Sequence, residues 1–170
     1  MNPMRQIKIE KVVVNIGVGE AGEKLRKAER VISLITNHKP VQTLSNTTNK
    51  DLGIRKHMPI GCKVTLRGKD AIDFLKRAFW VKENRIADYS FDSEGNFSFG
   101  ISDYTDFKGM KYDPDIGIFG MDICVTLGRN GTRVKRRRHA RGRIPAGHRI
   151  SPEEARAFVK AKLDVEVVSL

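Results

Sequence analysis

The hydrophobic period of this chain switches repeatedly between two residues and three to four, and the order of those switches limits the folds open to it. Residues 7–16, IKIEKVVVNI, open with apolar–polar alternation and end in a β-branched run, the pattern of a strand with one well-buried face. Leu25, Ala28, Val31, Ile32 and Ile35 then recur at helical spacing among Lys and Arg, until Asn37 and Pro40 stop the helix. PVQTLSNTT and, after the turn MPIG, IGCKVTLRG read as two more strands. Asp70 to Val81 predicts a second amphipathic helix, with Ile72, Leu75 and Phe79 on one face and Phe74 and Ala78 beside it. NFSFGI alternates as a half-solvated strand should, and MDICVTL reads as a more buried one. Ser151-Pro152-Glu153-Glu154 joins an N-cap Ser, a Pro at the first helical position and a Glu at the third, a capping box ahead of Ala155, Phe158 and Val159. VEVV near the end is extended. Helices separated by hairpin-like strand pairs imply an α+β fold, a mainly antiparallel sheet with helices packed on one face and the other face free to bind. A length of 170 residues suits one domain over residues 1–170.

Charge is segregated along that frame. Residues 1–82 carry a net +10, residues 83–122 carry −6, and residues 129–149 carry +9, out of +12 for the whole chain. The last segment, RNGTRVKRRRHARGRIPAGHR, holds Arg129, Arg133, Lys135, Arg136, Arg137, Arg138, Arg141, Arg143 and Arg149 and no carboxylate. Eight of the nine are Arg, whose planar guanidinium binds phosphate bidentately and stacks on bases, so the expected partner is a nucleic acid. Like-charge runs are commonly mobile solvated tails. This one is internal, precedes a capped helix and is broken by Gly131, Gly142, Pro145 and Gly147, so it reads as a long, shaped basic loop that embraces RNA or DNA. Its self-repulsion is expected to keep it poorly ordered until counter-charge arrives. The acidic middle segment holds eight of the eleven Phe and Tyr residues and suits a different, basic partner.

Several chemistries find no support. Cys62 and Cys124 sit in the apolar stretches GCKVTL and MDICVTL and read as reduced core cysteines of a cytoplasmic protein, with no disulfide framework or metal quartet. His38, His57, His139 and His148 have no metal-ligand spacing, and no nucleophile comes with a neighbouring base. No metal, cofactor, small-molecule substrate or catalytic residue is therefore expected. No apolar run is long enough for a membrane helix or a signal peptide, so no membrane partner is expected either. DPDIG and DSEGN look like turns. Gly17-Val18-Gly19-Glu20-Ala21-Gly22 formally matches the dinucleotide fingerprint. No second parallel strand ending in an acidic residue follows it, and Glu20 and Glu23 occupy the place a pyrophosphate would take, so the glycines read as a tight turn.

Asn15, Gln42, Thr43, Ser45, Asn46, Thr47, Thr48 and Asn49 gather near strand ends with Lys11, Lys39 and Lys50. Amides and hydroxyls beside Lys can hydrogen-bond phosphate, 2′-OH and base edges of folded RNA.

The blocks NPMRQIKIEKVVVNIGVGEAG, HKPVQT, IRKHMPIGCKVTLRG, FDSEGNFSFGI, YDPDIGIFGMDICVTLGR and AGHRIS-PEEA, in that order, resemble a family of large-subunit ribosomal proteins. It is the 5S rRNA-binding family of the central protuberance, number five in the universal naming, in its archaeal form. The resemblance implies a structural, non-enzymatic component of the cytoplasmic ribosome that binds 5S rRNA and helps anchor it to 23S rRNA. It assigns 5S rRNA contact to Lys11, Asn15, His38, Lys39, Thr43, Ser45, Asn46, Thr47, Asn49, Thr65 and Arg67. Arg55, Lys56, His57 and Met58 correspond to the loop that reaches P-site tRNA. The acidic, aromatic stretch DFKGMKYDPDIGIFG corresponds to the part facing a basic small-subunit ribosomal protein across an intersubunit bridge. The family often has Gln at the position of His38 and an aromatic at that of Leu52. The alternative expectation is a free-standing RNA-binding module or RNA chaperone, which would not co-sediment with large subunits.

Overall fold

The computed structural model describes residues 2–168. Seven strands and four helices follow in chain order: β1 (Ile7–Gly17), α1 (Glu23–Thr36), β2 (Val41–Leu44), β3 (Pro59–Leu66), α2 (Gly68–Val81), β4 (Arg85–Ala87), β5 (Phe97–Ile101), β6 (Met121–Arg129), α3 (Arg133–Arg136), α4 (Pro152–Leu163) and β7 (Glu166–Val168). Five strands form a mainly antiparallel sheet in the order β2-β3-β1-β6-β5, so the fold is α+β as expected. β4 and β7 make a separate parallel pair, Ile86 opposite Val167. The terminal VEVV is thus extended, whereas β4 has only three residues and no readable period.

The chain divides into two compact units. One comprises residues 13–66 and 99–123, and the other residues 1–12, 67–98 and 124–170.

In the first unit, Val14 and Ile16 of β1, Cys62, Val64 and Leu66 of β3 and the stripe Leu25, Ala28, Val31, Ile32, Ile35 of α1 are all buried. Each such aliphatic side chain contributes about 1.5–3 kcal/mol when fully removed from water. α1 ends at Asn37, whose left-handed backbone (φ 55°) lets its N–H donate to the Ser33 carbonyl at 2.9 Å. The glycine-rich segment before α1 is a turn: the N–H groups of Val18 and Gly19 both donate to the Ile60 carbonyl, at 3.0 and 2.8 Å. Those amides are committed within the protein, and Glu20 and Glu23 pair with Lys24 and Lys27 one helical turn on. β3 has Gly at position 61 because a Cβ there would lie 2.8 Å from both the Ile16 carbonyl oxygen and Thr43 Oγ1.

In the second unit, Ala71, Phe74, Leu75, Ala78 and Phe79 of α2 are buried, together with Ile86, Phe97, Leu127, Ala155 and Val159. The buried face of α2 holds Leu75, Phe79, Phe74 and Ala78 as expected, with Ala71 in place of Ile72. Ile72 is 40% exposed because the stripe starts at Ala71 and steps through 74/75 to 78/79, leaving position 72 some 100° away. The capping box of α4 is present, Glu154 N–H donating to Ser151 Oγ at 3.2 Å and Ser151 N–H to Glu154 Oε2 at 3.2 Å. Cys62 is buried, but Cys124 is exposed, contrary to its expected core position. It falls out of phase with Met121, Ile123, Val125 and Leu127, the buried side of β6. Among the described residues no helix is long and apolar enough to cross a membrane.

Candidate nucleic-acid interface

Residues 43–58, from the end of β2 to the start of β3, form a hairpin arm rich in polar side chains. β2 pairs antiparallel with β3, Val41 opposite Lys63 and Thr43 opposite Gly61, and the register slips between Thr43 and Leu44. Beyond the slip the arm is tied by backbone bonds from Ser45 N–H to the Met58 carbonyl (2.8 Å), His57 N–H to the Ser45 carbonyl (2.8 Å) and a reciprocal pair between Asn49 and Ile54. Side chains complete it. Thr48 Oγ1 accepts from Lys56 N–H at 3.0 Å, and Asn49 Oδ1 accepts from Asp51 N–H at 2.9 Å. His57 takes a left-handed conformation, φ 66°, to make the return turn.

The family resemblance assigns Ser45 to Asn49 and Arg55 to Met58 to different RNAs, yet the arm brings the two sets within hydrogen-bonding distance. Asn46, Thr47, Asn49, Arg55, Lys56 and His57 are exposed, and Met58 is half-buried. Ser45 is different. It is buried, and its hydroxyl donates to the Thr47 carbonyl at 2.7 Å, so it shapes the arm instead of facing a ligand. Leu44 and Leu52 stay more than half exposed and give the arm apolar surface. On β1, Lys11 and Asn15 lie half-buried, alternating with Val12, Val14 and Ile16. His38, Lys39, Thr65 and Arg67 are exposed, and Thr43 is half-buried. The His38 ring Nδ1 hydrogen-bonds the Thr36 carbonyl at 2.8 Å.

The basic loop is a second cluster, on the other unit. Eight of its nine expected cations, Arg133 through Arg149, are exposed. Arg129 is the exception: its side chain is 6% exposed, and Nη2 donates to both Glu154 oxygens, at 2.7 and 2.8 Å. The same carboxylate caps α4, so one ion pair ties the start of the loop to the helix that follows it. Arg129 therefore leaves the ligand-facing set. The signal was in the sequence, because position 129 continues the buried phase 121, 123, 125, 127 of β6. Other anchors define the loop. His148 Nε2 hydrogen-bonds the Asn130 carbonyl at 2.9 Å, Arg137 Nε donates to the Ala140 carbonyl at 2.6 Å, and Arg136 pairs with Glu10 of β1. α3, four residues long, forms inside the run where no apolar period announced it.

In the acidic, aromatic stretch Phe107 and Ile116 are buried, as is Tyr104 just before it, while Tyr112 and Ile118 are 59% and 68% exposed. Its aspartates build turns, Asp113 Oδ1 accepting from Asp115 N–H at 3.0 Å. Asp92 likewise accepts from the N–H groups of Glu94 and Asn96 in the DSEGN turn.

Two family models match the chain: ribosomal protein L5 over residues 2–55, and the C-terminus of the same ribosomal family over residues 59–161. Large ribosomal subunit protein uL5 of Thermoplasma acidophilum is 56% identical over 99% of this chain and 99% of its own. The proteins of the same name from Methanoregula boonei and Sulfurisphaera tokodaii are 52% and 50% identical, over 96% and 99% of this chain and 99% and 96% of theirs. The geometry presents two polar and basic surfaces, one on each unit. The chain belongs to the ribosomal protein L5 family, non-enzymatic structural constituents of the large ribosomal subunit.

Proposed function

We propose that this chain binds 5S rRNA in the central protuberance through the hairpin arm and the strand positions beside it, and helps anchor it to 23S rRNA through the basic loop. The observation that carries this is the arm itself, which holds neutral hydroxyls, amides and a few cations in fixed register on an exposed edge. Neutral donors held in place can recognise the shape of a folded RNA, with its 2′-OH and base edges, where free cations would only sense charge. Arg55 to Met58, on the returning side of the arm, contact P-site tRNA. The acidic stretch around Tyr112 and Ile118 meets a basic small-subunit ribosomal protein across an intersubunit bridge, its carboxylates supplying the complementary charge.

Chemical footprinting of 5S rRNA with and without the chain tests the proposal. One compact protected region, lost when Asn46, Thr47 and Asn49 are replaced by Ala and kept when Arg133 and Arg138 are replaced, is expected. Uniform weak protection along the RNA would favour a free-standing RNA-binding module.

A further inference from the structure

A half-open cavity of about 460 Å³ lies within the unit that carries the basic loop. Its apolar lining comes from Leu127 of β6, Ile144 of the loop and Ile150 just before α4. Arg141, Arg143 and Arg149 line it as well, each exposed. Two carboxylates complete it. Glu10 lies along β6 because residue 128 is Gly, where a Cβ would come within 3.2 Å of Glu10 Oε2. Glu94 sits on the DSEGN turn, which packs against the apolar wall so closely that a Cβ on Gly95 would lie 2.8 Å from Ile150 Cγ2.

This mixture narrows the ligand. Inorganic phosphate would use the guanidinium groups and leave the apolar wall and Glu94 without purpose, Glu10 being paired with Arg136. An acidic peptide would bring its carboxylates against Glu10 and Glu94. A nucleotide matches all three elements, with an apolar base face, base N–H donors and an anionic phosphate. Carboxylates accept from exocyclic base amines, and guanidinium planes both pair with phosphate and stack on bases. The volume falls within the range of about 300–1,000 Å³ that small-molecule sites occupy.

We propose that this cavity receives one nucleotide extruded from a single-stranded segment of RNA. Its base lies on Leu127, Ile144 and Ile150 with its amino edge toward Glu94, and the flanking phosphates lie on Arg141, Arg143 and Arg149. The proposal rests on the reading of the loop as an RNA contact. It adds a shaped pocket for one base to a run of arginines.

Two fluorescently labelled heptanucleotides of equal charge test it on the full chain: one abasic throughout, the other with a single central adenosine. The adenosine should strengthen binding by roughly tenfold, the scale of one base stacked on protein, with the salt dependence of the two RNAs unchanged. Ile144→Ser should erase that difference and Ile144→Leu should keep it. Should Ile144→Ser fail to fold, the two RNAs on the unaltered chain decide alone. Equal, salt-sensitive binding of both overturns the nucleotide site while leaving the loop's RNA contact standing. Salt-insensitive or absent binding of both overturns the loop reading itself. Free adenosine monophosphate binding as tightly as the adenosine-bearing strand overturns the assignment to RNA.

Discussion

The hairpin arm and the arginine loop both present exposed polar and basic side chains, but they are not held in the same way. The arm is held by its own backbone, with paired N–H and carbonyl groups from Ser45 to Met58 and hydroxyls that fill the remaining positions. Nothing in it repels anything else strongly, so local bonds suffice. The loop has local bonds too, among them Gly142 N–H to the Val134 carbonyl and Arg149 N–H to the Ala146 carbonyl. Its cations repel one another, and it is also tied to anions from elsewhere, Glu154 on Arg129 and Glu10 on Arg136. A neutral polar surface can be self-supporting, whereas a concentrated cationic one is braced as well by carboxylates from neighbouring elements.

The comparison breaks first at Arg129. Arg129→Met should lower stability by about 2 kcal/mol, the worth of its charge-assisted bonds discounted for the partial exposure of Glu154. In a chain of this length that corresponds to roughly 4–8 °C in melting temperature. The salt dependence of RNA binding should stay as it was. An unchanged melting temperature with a shallower salt slope would return Arg129 to the RNA-facing residues and undo the contrast.

The next effect belongs to the exposed arginines outside the cavity. Replacing Arg133 and Arg138 by Ala should leave stability within about 0.5 kcal/mol. The magnitude of the log–log salt slope of RNA binding should fall by roughly two units, one for each phosphate no longer neutralised. If melting shifts by several degrees while the slope holds, these side chains brace the loop instead.

Asn15 tests the neutral side. Asn15→Ala removes one uncharged hydrogen-bonding group, so 5S rRNA affinity should drop by about 1 kcal/mol with no change in salt slope or melting temperature. A fall in slope would mean that even this surface works through charge.

A last effect, confined to alkaline pH, probes the footing of the arm on β3. Burial, with the carboxylate of Glu29 adding to it, pushes the Cys62 thiol up from 9.0 to about 11. Below pH 9 the thiol is neutral in folded and unfolded chains alike and stability is unaffected. Between pH 9.0 and about 11 the unfolded chain ionises while the folded one resists, so stability should decline with rising pH across that window. Cys62→Ala should flatten that part of the alkaline denaturation profile measured by circular dichroism. An unaltered profile would show that Cys62 titrates normally and that this end of β3 is wetter than its burial implies.

Much of the frame is legible residue by residue. The stripe of α1 can be read directly because helical spacing depends only on neighbours three and four positions away. The capping box of α4 and the aspartate turns are readable for the same reason. On α2 four of the five expected core positions are right and Ile72 is not, since Ala71 and Ile72 are both apolar and only packing decides which faces inward. Cys124 is misplaced by its apolar setting, although strict alternation along MDICVTLGR puts it outward and Arg129 inward.

The local order of strands and helices and the segregation of charge are properties of the bare sequence, because each depends on residues within a short span. That Ser45–Asn49 and Arg55–Met58 share one arm is settled by the folded chain instead. The same holds for the pairing of three-residue β4 with β7, and for Glu154, 25 residues on, holding Arg129. Pairings between residues far apart in sequence depend on which surfaces meet once the chain has folded, and no local period or propensity records that.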